Sequence, residues 1–425
     1  MLIEFSVGNY RSIKDVQTIS FVPTGLKSPE KYDSIDKNNI ARLHGYQTFK
    51  TVGIYGANGS GKSNLVKALD NFIKVVTQEA SSSSNMEALC DPFLYQDDSE
   101  YSECYFQIVL VIDEKKYRYG LTAKRNPKQK EEGDSSWSKE IVTNEWLFGT
   151  KEKNMAELFI RTGADIKKDR LPNNESIPPT VAYEHTLFLT HAAAFDSEGV
   201  SQKIRNYLGH WTISNLNSEH ERFRKMSVNM ITSRGKKDEF LDMLSSFDLR
   251  YSDVEIEDEE EIKNSKLIPQ NIINLSREYS PLEGNNRSVF LNLQYNESVG
   301  TQKLFDLAGL LLITFNLSKP AFVTLDEIDS NFHPSLLIKL IKMFNDPSIN
   351  KSQSQLLFTS HDTNLMSPSI MRRDQFYFAE KNEDQSTRLY SLADLRGIRN
   401  DADFAKQYLA GFYGALPILN DFVES

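Results

Sequence analysis

Eight residues, Gly56-Ala57-Asn58-Gly59-Ser60-Gly61-Lys62-Ser63, constrain this chain more than any other stretch. They fit the pattern G-x-x-x-x-G-K-[ST] in full, and their surroundings are the ones that pattern needs. Ahead of them runs Thr51-Val52-Gly53-Ile54-Tyr55, a short apolar run that reads as a buried strand. Behind them Leu65, Val66, Leu69, Phe72, Ile73 and Val76 recur at helical spacing, so a helix is expected from about Ser63. A strand, a glycine-rich turn and a helix N-terminus together make an anion cradle. Small residues let successive backbone N–H groups face phosphate oxygens, and the helix end adds partial positive charge. Lys62 is expected to reach the β- and γ-phosphates and Ser63 to offer its hydroxyl to Mg2+. Gly56, Asn58, Gly59, Ser60, Gly61 and Asn64 complete the nucleotide-binding set.

A phosphate loop does not by itself define a reaction; the last third of the chain supplies more. Ala321-Phe322-Val323-Thr324-Leu325 is continuously apolar, as a central parallel strand must be, and ends in Asp326-Glu327. An acid at the C-terminal end of such a strand stands beside the phosphate loop. Asp326 is expected to hold Mg2+, and Glu327 to orient the attacking water or take its proton. A second buried run, Leu356-Leu357-Phe358-Thr359-Ser360, ends in His361-Asp362. His361 there could hydrogen-bond the γ-phosphate and the water. Upstream, Ser298-Val299-Gly300 opens a helix that runs on to Leu317, a further anion site at a helix N-terminus. The chain already has its own phosphate loop, so this second phosphate reader is expected to serve a second copy.

Composition narrows the setting. A chain of 425 residues has room for two or three domains and a large core. Its two cysteines, Cys90 and Cys104, form no C-x-x-C, which suits a reducing cytosol and argues against a cysteine zinc site. The first residues show neither the basic start nor the apolar stretch of a signal peptide. The longest apolar run, Leu304 to Leu317, is broken by Asp306, Thr314 and Asn316, so no membrane span is expected. The net charge of −10 argues against a surface coated for nucleic acid, although Lys115, Lys116, Arg118, Lys124, Arg125, Lys128 and Lys130 cluster in sequence and read as a solvated hairpin edge. His185, His191, His210 and His220 lack metal-ligand spacing.

Strands are expected at Leu2–Val7, Gln17–Val22, Tyr105–Ile112 and Tyr117–Leu121, the latter two a hairpin, and at Ile141–Phe148 and Leu158–Arg161 as further strands of one antiparallel sheet, with a loop from Pro23 to Tyr46. Asp258-Glu259-Glu260-Glu261 reads as an acidic loop, and Phe240, Leu241, Met243, Leu244 and Phe247 as a buried helix stripe. Residues 1–122 and 285–425 are expected to form the two halves of a nucleotide-binding domain, and residues 123–284 an inserted, mainly helical subdomain.

Phosphate loop, Ser-x-Gly turn, Asp-Glu strand and His strand, in that order, resemble the ABC-type ATPases. The opening Phe5-Ser6-Val7-Gly8-Asn9-Tyr10-Arg11-Ser12 is similar to the start of the chromosome-maintenance and recombination-repair members. A nearer resemblance is to the stand-alone AAA-type ATPases of bacterial abortive-infection and phage-defence loci. It rests on Gly300-Thr301-Gln302-Lys303-Leu304, Leu325-Asp326-Glu327-Ile328-Asp329-Ser330, His333-Pro334, Thr359-Ser360-His361-Asp362-Thr363-Asn364-Leu365 and Arg372-Arg373-Asp374-Gln375. The resemblance implies an α/β, ABC-type P-loop domain with a doubly wound sheet and an antiparallel β subdomain. It also implies two copies enclosing two ATP molecules head to tail. Ser298 and Gly300 would then cap the partner's ATP, Ser330 and Asn331 would cross the seam, and His361 would be the switch histidine. The turn here is Ser-Val-Gly-Thr where the family has Ser-Gly-Gly-Gln.

These readings converge on a cytoplasmic, Mg2+-dependent ATPase. It is expected to dimerise, or form a higher oligomer, through its ATP sites. The resemblance adds a separately encoded effector, of nuclease type, in anti-phage defence. Two alternatives stand beside it: a DNA-maintenance clamp working with a nuclease on nucleic acid, and a binding module in which ATP is a structural clasp.

Overall fold

The computed structural model describes residues 1–97, 99–127, 139–151, 154–215, 219–257, 272–281, 285, 287–330 and 332–417. The acidic run 258–261, most of the loop expected at 125–138, and Asn331 lie outside the described residues.

Two sheets frame the molecule. The first has six strands in the order Thr212–Asn215, Phe322–Asp326, Gln355–Thr359, Thr51–Tyr55, Phe376–Lys381, Thr387–Ser391. The first five are parallel and the last is antiparallel. The strands Phe322–Asp326, Gln355–Thr359 and Thr51–Tyr55 are buried at every position, which is why they read as unbroken apolar runs. Gly53 is needed in the middle of its strand because a Cβ there would lie 2.5 Å from the Phe358 ring. The second sheet has seven antiparallel strands in the order Asp165–Lys167, Asn154–Thr162, Glu140–Lys151, Lys115–Arg125, Cys104–Ile112, Leu2–Gly8, Gln17–Ser20. Its central hairpin turns on Asp113 and Glu114, both at positive φ (46° and 69°), the two-residue geometry that matches strand twist.

Helix Lys62–Thr77 lies between the sheets. Its Phe72 stacks on Phe106 of the seven-stranded sheet with centroids 6.0 Å apart, and meets Phe5 and Tyr119 at 5.9 Å. The opposite face of the six-stranded sheet is covered by helices Val299–Phe315 and Pro334–Asn345, which share a core with it. Helices on both faces of a largely parallel sheet, with a separate antiparallel sheet, are the doubly wound, ABC-type arrangement expected. Helix His220–Ile231 crosses Val299–Phe315 closely. A Cβ on Gly309 would come 2.5 Å from the Ser227 backbone, and Arg224 clamps Asp306 at 2.8 Å. Phe240, Met243, Leu244 and Phe247 are buried there, Phe240 edge-on to Phe305 at 4.9 Å. Among the described residues no helix is long and apolar enough to cross a membrane.

The middle of the chain departs from the expected division. A boundary at residue 122 falls inside strand Lys115–Arg125, whose partner Glu140–Lys151 continues the same sheet. Residues Thr212–Asn215 pair in register with Val323–Asp326 and form one edge of the six-stranded sheet. Helices Phe188–Phe195 and Val200–Gly209 belong to the core around Lys62–Thr77. The part outside the two large sheets is smaller: helices His220–Ile231 and Lys237–Ser246 with the three-stranded sheet Asp253–Glu257, Ile272–Tyr279, Arg287–Asn292, which share a core with helix Val299–Phe315. The stretch 23–46 is likewise not all loop. It holds helix Ser34–Asn38 and a strand, Ile40–Leu43, that pairs with Tyr46–Phe49. Arg372 ties it down by bridging Asp36 (3.1 Å) and Asp374 (2.8 Å).

One buried ion pair joins the sheet to helix Phe188–Phe195. Glu145, fully buried, accepts the first N–H groups of that helix, Phe188 at 2.6 Å and Leu189 at 2.8 Å, and the Tyr119 hydroxyl at 3.0 Å. Arg161 stands 3.7 Å away and holds the carbonyls of Gly163, Glu184 and Thr186. A carboxylate at a helix N-terminus opposes the helix dipole favourably. Removing it also strands a buried guanidinium. Glu145→Ala is therefore expected to lower stability by about 3–5 kcal/mol in chemical denaturation.

Candidate nucleotide site

The phosphate loop leaves strand Thr51–Tyr55 through three glycines at positive φ: Gly56 at 148°, Gly59 at 76° and Gly61 at 101°. Two of them are also forced by space. A Cβ on Gly56 would fall 2.2 Å from the Ala379 carbonyl oxygen, and one on Gly61 would fall 2.0 Å from Thr387 Oγ1. Gly59 faces open space beside exposed Asn58, so only its conformation demands glycine. Ser60 is buried, and its hydroxyl has no hydrogen-bond partner.

The loop is seated from below by residues far away in sequence. Thr387 Oγ1 donates to the Ser60 carbonyl at 2.9 Å and pairs with Ser12 Oγ at 2.8 Å; the Thr387 N–H donates to the Ser12 carbonyl at 2.6 Å. Ser12 Oγ also receives Asn64 Nδ2 at 2.7 Å. Asn64 therefore sits beneath the loop and braces it. From the C-terminal side, the Ala57 N–H donates to the Ala415 carbonyl at 3.0 Å. No local signal in the sequence marks Thr387 or Ala415 as part of this site.

Lys62 opens the helix. Its ammonium donates to the carbonyls of Gly56 (2.8 Å) and Ala57 (3.0 Å). Burial pulls its pKa down to about 8, against the opposing pull of Asp326, Asp329 and Glu327. Its charge is thus present below pH 8 and is lost as pH rises through that value. ATP affinity is expected to weaken between about pH 7.5 and about pH 9.5. At about pH 8.5 binding should take up a fraction of a proton, because the phosphates restore the charge. Calorimetry in two buffers of different ionisation enthalpy reads that uptake, and a flat affinity across the window would contradict it.

The acid pair is organised by one hydroxyl. Asp326 ends strand Phe322–Asp326, and the parallel register sets Leu325 against Phe358, so Thr359 is its neighbour. Thr359 Oγ1 donates to Asp326 Oδ1 at 2.6 Å and accepts the Glu327 N–H at 2.8 Å. Glu327 sits at φ 51°, a left-handed conformation that an ordinary side chain adopts only under constraint. Asp329 is another residue whose place the motif alone did not reveal. Its Oδ2 accepts the His361 N–H at 3.0 Å, while its Oδ1 is buried without a partner. The His361 pKa is lowered, first by burial and then by Lys62, and raised less strongly by Asp329, Glu327 and Asp326. The imidazole is therefore neutral at neutral pH. Lys62, Asp326, Glu327, Asp329 and His361 thus lie close enough to influence one another.

The residues fit a nucleotide with a divalent ion. One buried cation faces three carboxylates, and the Ser60 hydroxyl and Asp329 Oδ1 are buried polar atoms with nothing to bind. Among the described residues no three His, Cys, Asp or Glu side chains form a protein-only metal cage. An ion carried by phosphates needs only one or two carboxylates, as Mg2+ does in such sites. Ser63, next to Lys62, and Asp326 would be the hard oxygen donors for it.

Ser298 is placed differently. It caps helix Val299–Phe315, its Oγ accepting the Thr301 N–H at 3.2 Å and meeting Thr301 Oγ1 at 3.0 Å. Among the described residues these side-chain bonds stay inside its own turn, and none reaches Gly56–Ser63. Val299, between Ser298 and Gly300, is exposed, as is Tyr295 just before the cap. The helix reaches the loop after the acid pair through Lys303 Nζ, 3.5 Å from the Ser330 carbonyl.

Residues 52–367 match the family described as "AAA domain, putative AbiEii toxin, Type IV TA system". Two solved structures are similar over most of their length. The SMC head domain from Thermotoga maritima is 12% identical with a TM-score of 0.43, covering 92% of this chain and 98% of that chain. The recombination mediator protein RecF-ATPrS of the RecFOR pathway is 14% identical with a TM-score of 0.35, covering 92% and 98%. No curated protein matches. The family match spans well over half of the chain, so the chain belongs to this AAA-domain family, and it is a P-loop ATPase.

Proposed function

We propose that this ATPase is a Mg2+-dependent switch that closes as a head-to-tail dimer around ATP and reopens on hydrolysis. Its output is control of a separately encoded, nuclease-type effector in defence against phage. The family description, which names an AbiEii toxin and a Type IV TA system, supports the defence setting. The observation that carries the dimer is the separation of two phosphate-reading elements. Lys62, Asp326, Glu327 and His361 gather at one phosphate loop, whereas the Ser298 cap is solvent-facing and, among the described residues, its side chain bonds within its own turn.

In the closed state Lys62 would leave the Gly56 and Ala57 carbonyls for the β- and γ-phosphates. Bound Mg2+, held by Ser63 and Asp326, would offset charge on those phosphates. Glu327, its carboxylate aimed by the left-handed backbone and by Thr359, would accept the proton of the attacking water. Neutral His361, held through its backbone by Asp329, would hydrogen-bond the γ-phosphate. Ser298 and Gly300 of the second copy would close the site, since an exposed helix N-terminus favours an anion. Docking of the effector would use surfaces that change between the two states. The exposed Leu409 and Phe412, on the segment that reaches the phosphate loop through Ala415, are suited to it.

Mixing two inactive variants tests this arrangement. Ser298→Arg should bind ATP normally and fail to hydrolyse it, because a bulky cation blocks the partner's site. Lys62→Ala should fail to bind ATP. Mixed together, they should regain turnover, because each mixed dimer holds one intact site with Lys62 from one copy and Ser298 from the other. Absence of rescue, or loss of ATP affinity in Ser298→Arg alone, would place Ser298 in its own chain's site.

A further inference from the structure

We infer that the outer face of the seven-stranded sheet is a stacking platform for single-stranded nucleic acid. The inference is independent of the ATP site and rests on other residues. The cation cluster beginning at Lys115 reads from sequence as a hairpin edge, yet strand Lys115–Arg125 is the fourth of seven and runs through the middle of the sheet. Along it Tyr117, Tyr119, Leu121 and Ala123 are buried, and Lys116, Arg118, Thr122 and Lys124 alternate with them on the other face. Aromatic rings flank that row: Tyr105 on one neighbouring strand, Trp146 and Phe148 on the other.

The rings are arranged as a floor. Trp146 lies over Gly120, where a Cβ would come 2.4 Å from its Cζ2, so the glycine lets the indole settle on the sheet. Tyr105 lies 5.7 Å from Trp146 with a 30° tilt, and Trp146 Nε1 is fixed by Gln107 Oε1 at 3.2 Å. The Arg118 guanidinium stands 4.7 Å from the Phe148 centroid, and its Nε is buried with no hydrogen-bond partner. Together they line a shallow hollow of about 480 Å³ that also holds Asn144 and Thr122.

This chemistry selects its occupant. Flat π faces accept any base, and a row of cations accepts the phosphates between bases. Lys116 and Lys124 are eight positions apart on one strand, roughly 25 Å, the reach of several nucleotides rather than one. A duplex hides its base faces and gains nothing from the rings. An apolar protein partner would bury the Lys116–Arg118–Lys124 row without compensation. The chain as a whole carries a net charge of −10, so a local row of cations stands out as a site for a polyanion.

The test uses the purified full chain and fluorescence anisotropy of a labelled oligothymidylate strand at low salt. A duplex of equal length and thymidine monophosphate serve as competitors. The strand should bind, salt should weaken it, and neither competitor should displace it at equal concentration. Trp146→Ala and Arg118→Gln should each weaken binding about tenfold, and Trp146→Phe should retain most of it. ATP turnover and melting temperature should be unchanged in Arg118→Gln, which keeps the comparison valid if Trp146→Ala proves unstable. No binding by the wild type would overturn the inference. So would equal affinity for the duplex or the mononucleotide, or wild-type affinity in both Arg118→Gln and Trp146→Ala.

Discussion

Lys62→Ala is expected to abolish tight ATP binding while leaving the fold in place. The ammonium is a buried cation that faces Asp326, Glu327 and Asp329, and a bound triphosphate would add still more negative charge there. Removing one partner of a desolvated charge pair costs about 2–5 kcal/mol, which is roughly 30-fold to several-thousand-fold in affinity. Without nucleotide the same ammonium contributes little to stability, because burial holds its pKa at about 8, well under the ordinary lysine value. The variant should therefore melt at or slightly above the wild-type temperature. Equilibrium binding of a fluorescent ATP analogue, beside a melting curve, reads both halves. Near-wild-type affinity would remove Lys62 from the phosphate site. A collapsed melting temperature would show instead that its bonds to Gly56 and Ala57 are structural.

Glu327→Gln should separate binding from chemistry. Glutamine keeps the size of the side chain and can sit at the same left-handed backbone position, but it cannot accept a proton. Loss of a general base typically costs 10²–10⁴ in rate, so single-turnover hydrolysis should slow at least ~100-fold while ATP affinity stays or rises. The backbone N–H of Glu327 keeps its bond to Thr359 in the variant, so Asp326 is undisturbed. A parallel loss of affinity would mean that Glu327 holds the ion or the nucleotide rather than the water.

What the sequence revealed divides along a physical line. The phosphate loop, the Asp-Glu strand and the His361 strand were legible because each is a local pattern: an unbroken apolar run followed by a polar terminus. Their mutual approach followed from the rule that such strands end on one side of a parallel sheet. The braces were not legible. Thr387 and Ser12 meet beneath the loop across most of the chain, and neither carries a mark of its own. Asp329 stood in a recognisable motif, but its link to the His361 backbone depends on how two strand ends face each other.

The middle of the chain was misdivided for a related reason. Thr212–Asn215 is four residues long and earns its strand only by pairing with Val323–Asp326, more than a hundred positions away. The Lys115–Arg125 strand alternates as half-buried strands do, so its identity was clear. The further strands at Ile141–Phe148 and Leu158–Arg161 were expected in one antiparallel sheet with it and are found there, yet the boundary expected at 122 cuts that sheet. Periodicity reports what a strand buries, not which strands lie beside it.

The central claim is that ATP brings two copies together and that hydrolysis parts them. The most direct measurement is the mass of Glu327→Gln by light scattering, with and without ATP and Mg2+. The expected result is the monomer mass without nucleotide and twice that mass with it, with Ser298→Arg introduced into the same variant preventing the change. A mass that stays the same with ATP present, at concentrations where the nucleotide is bound, would contradict the claim.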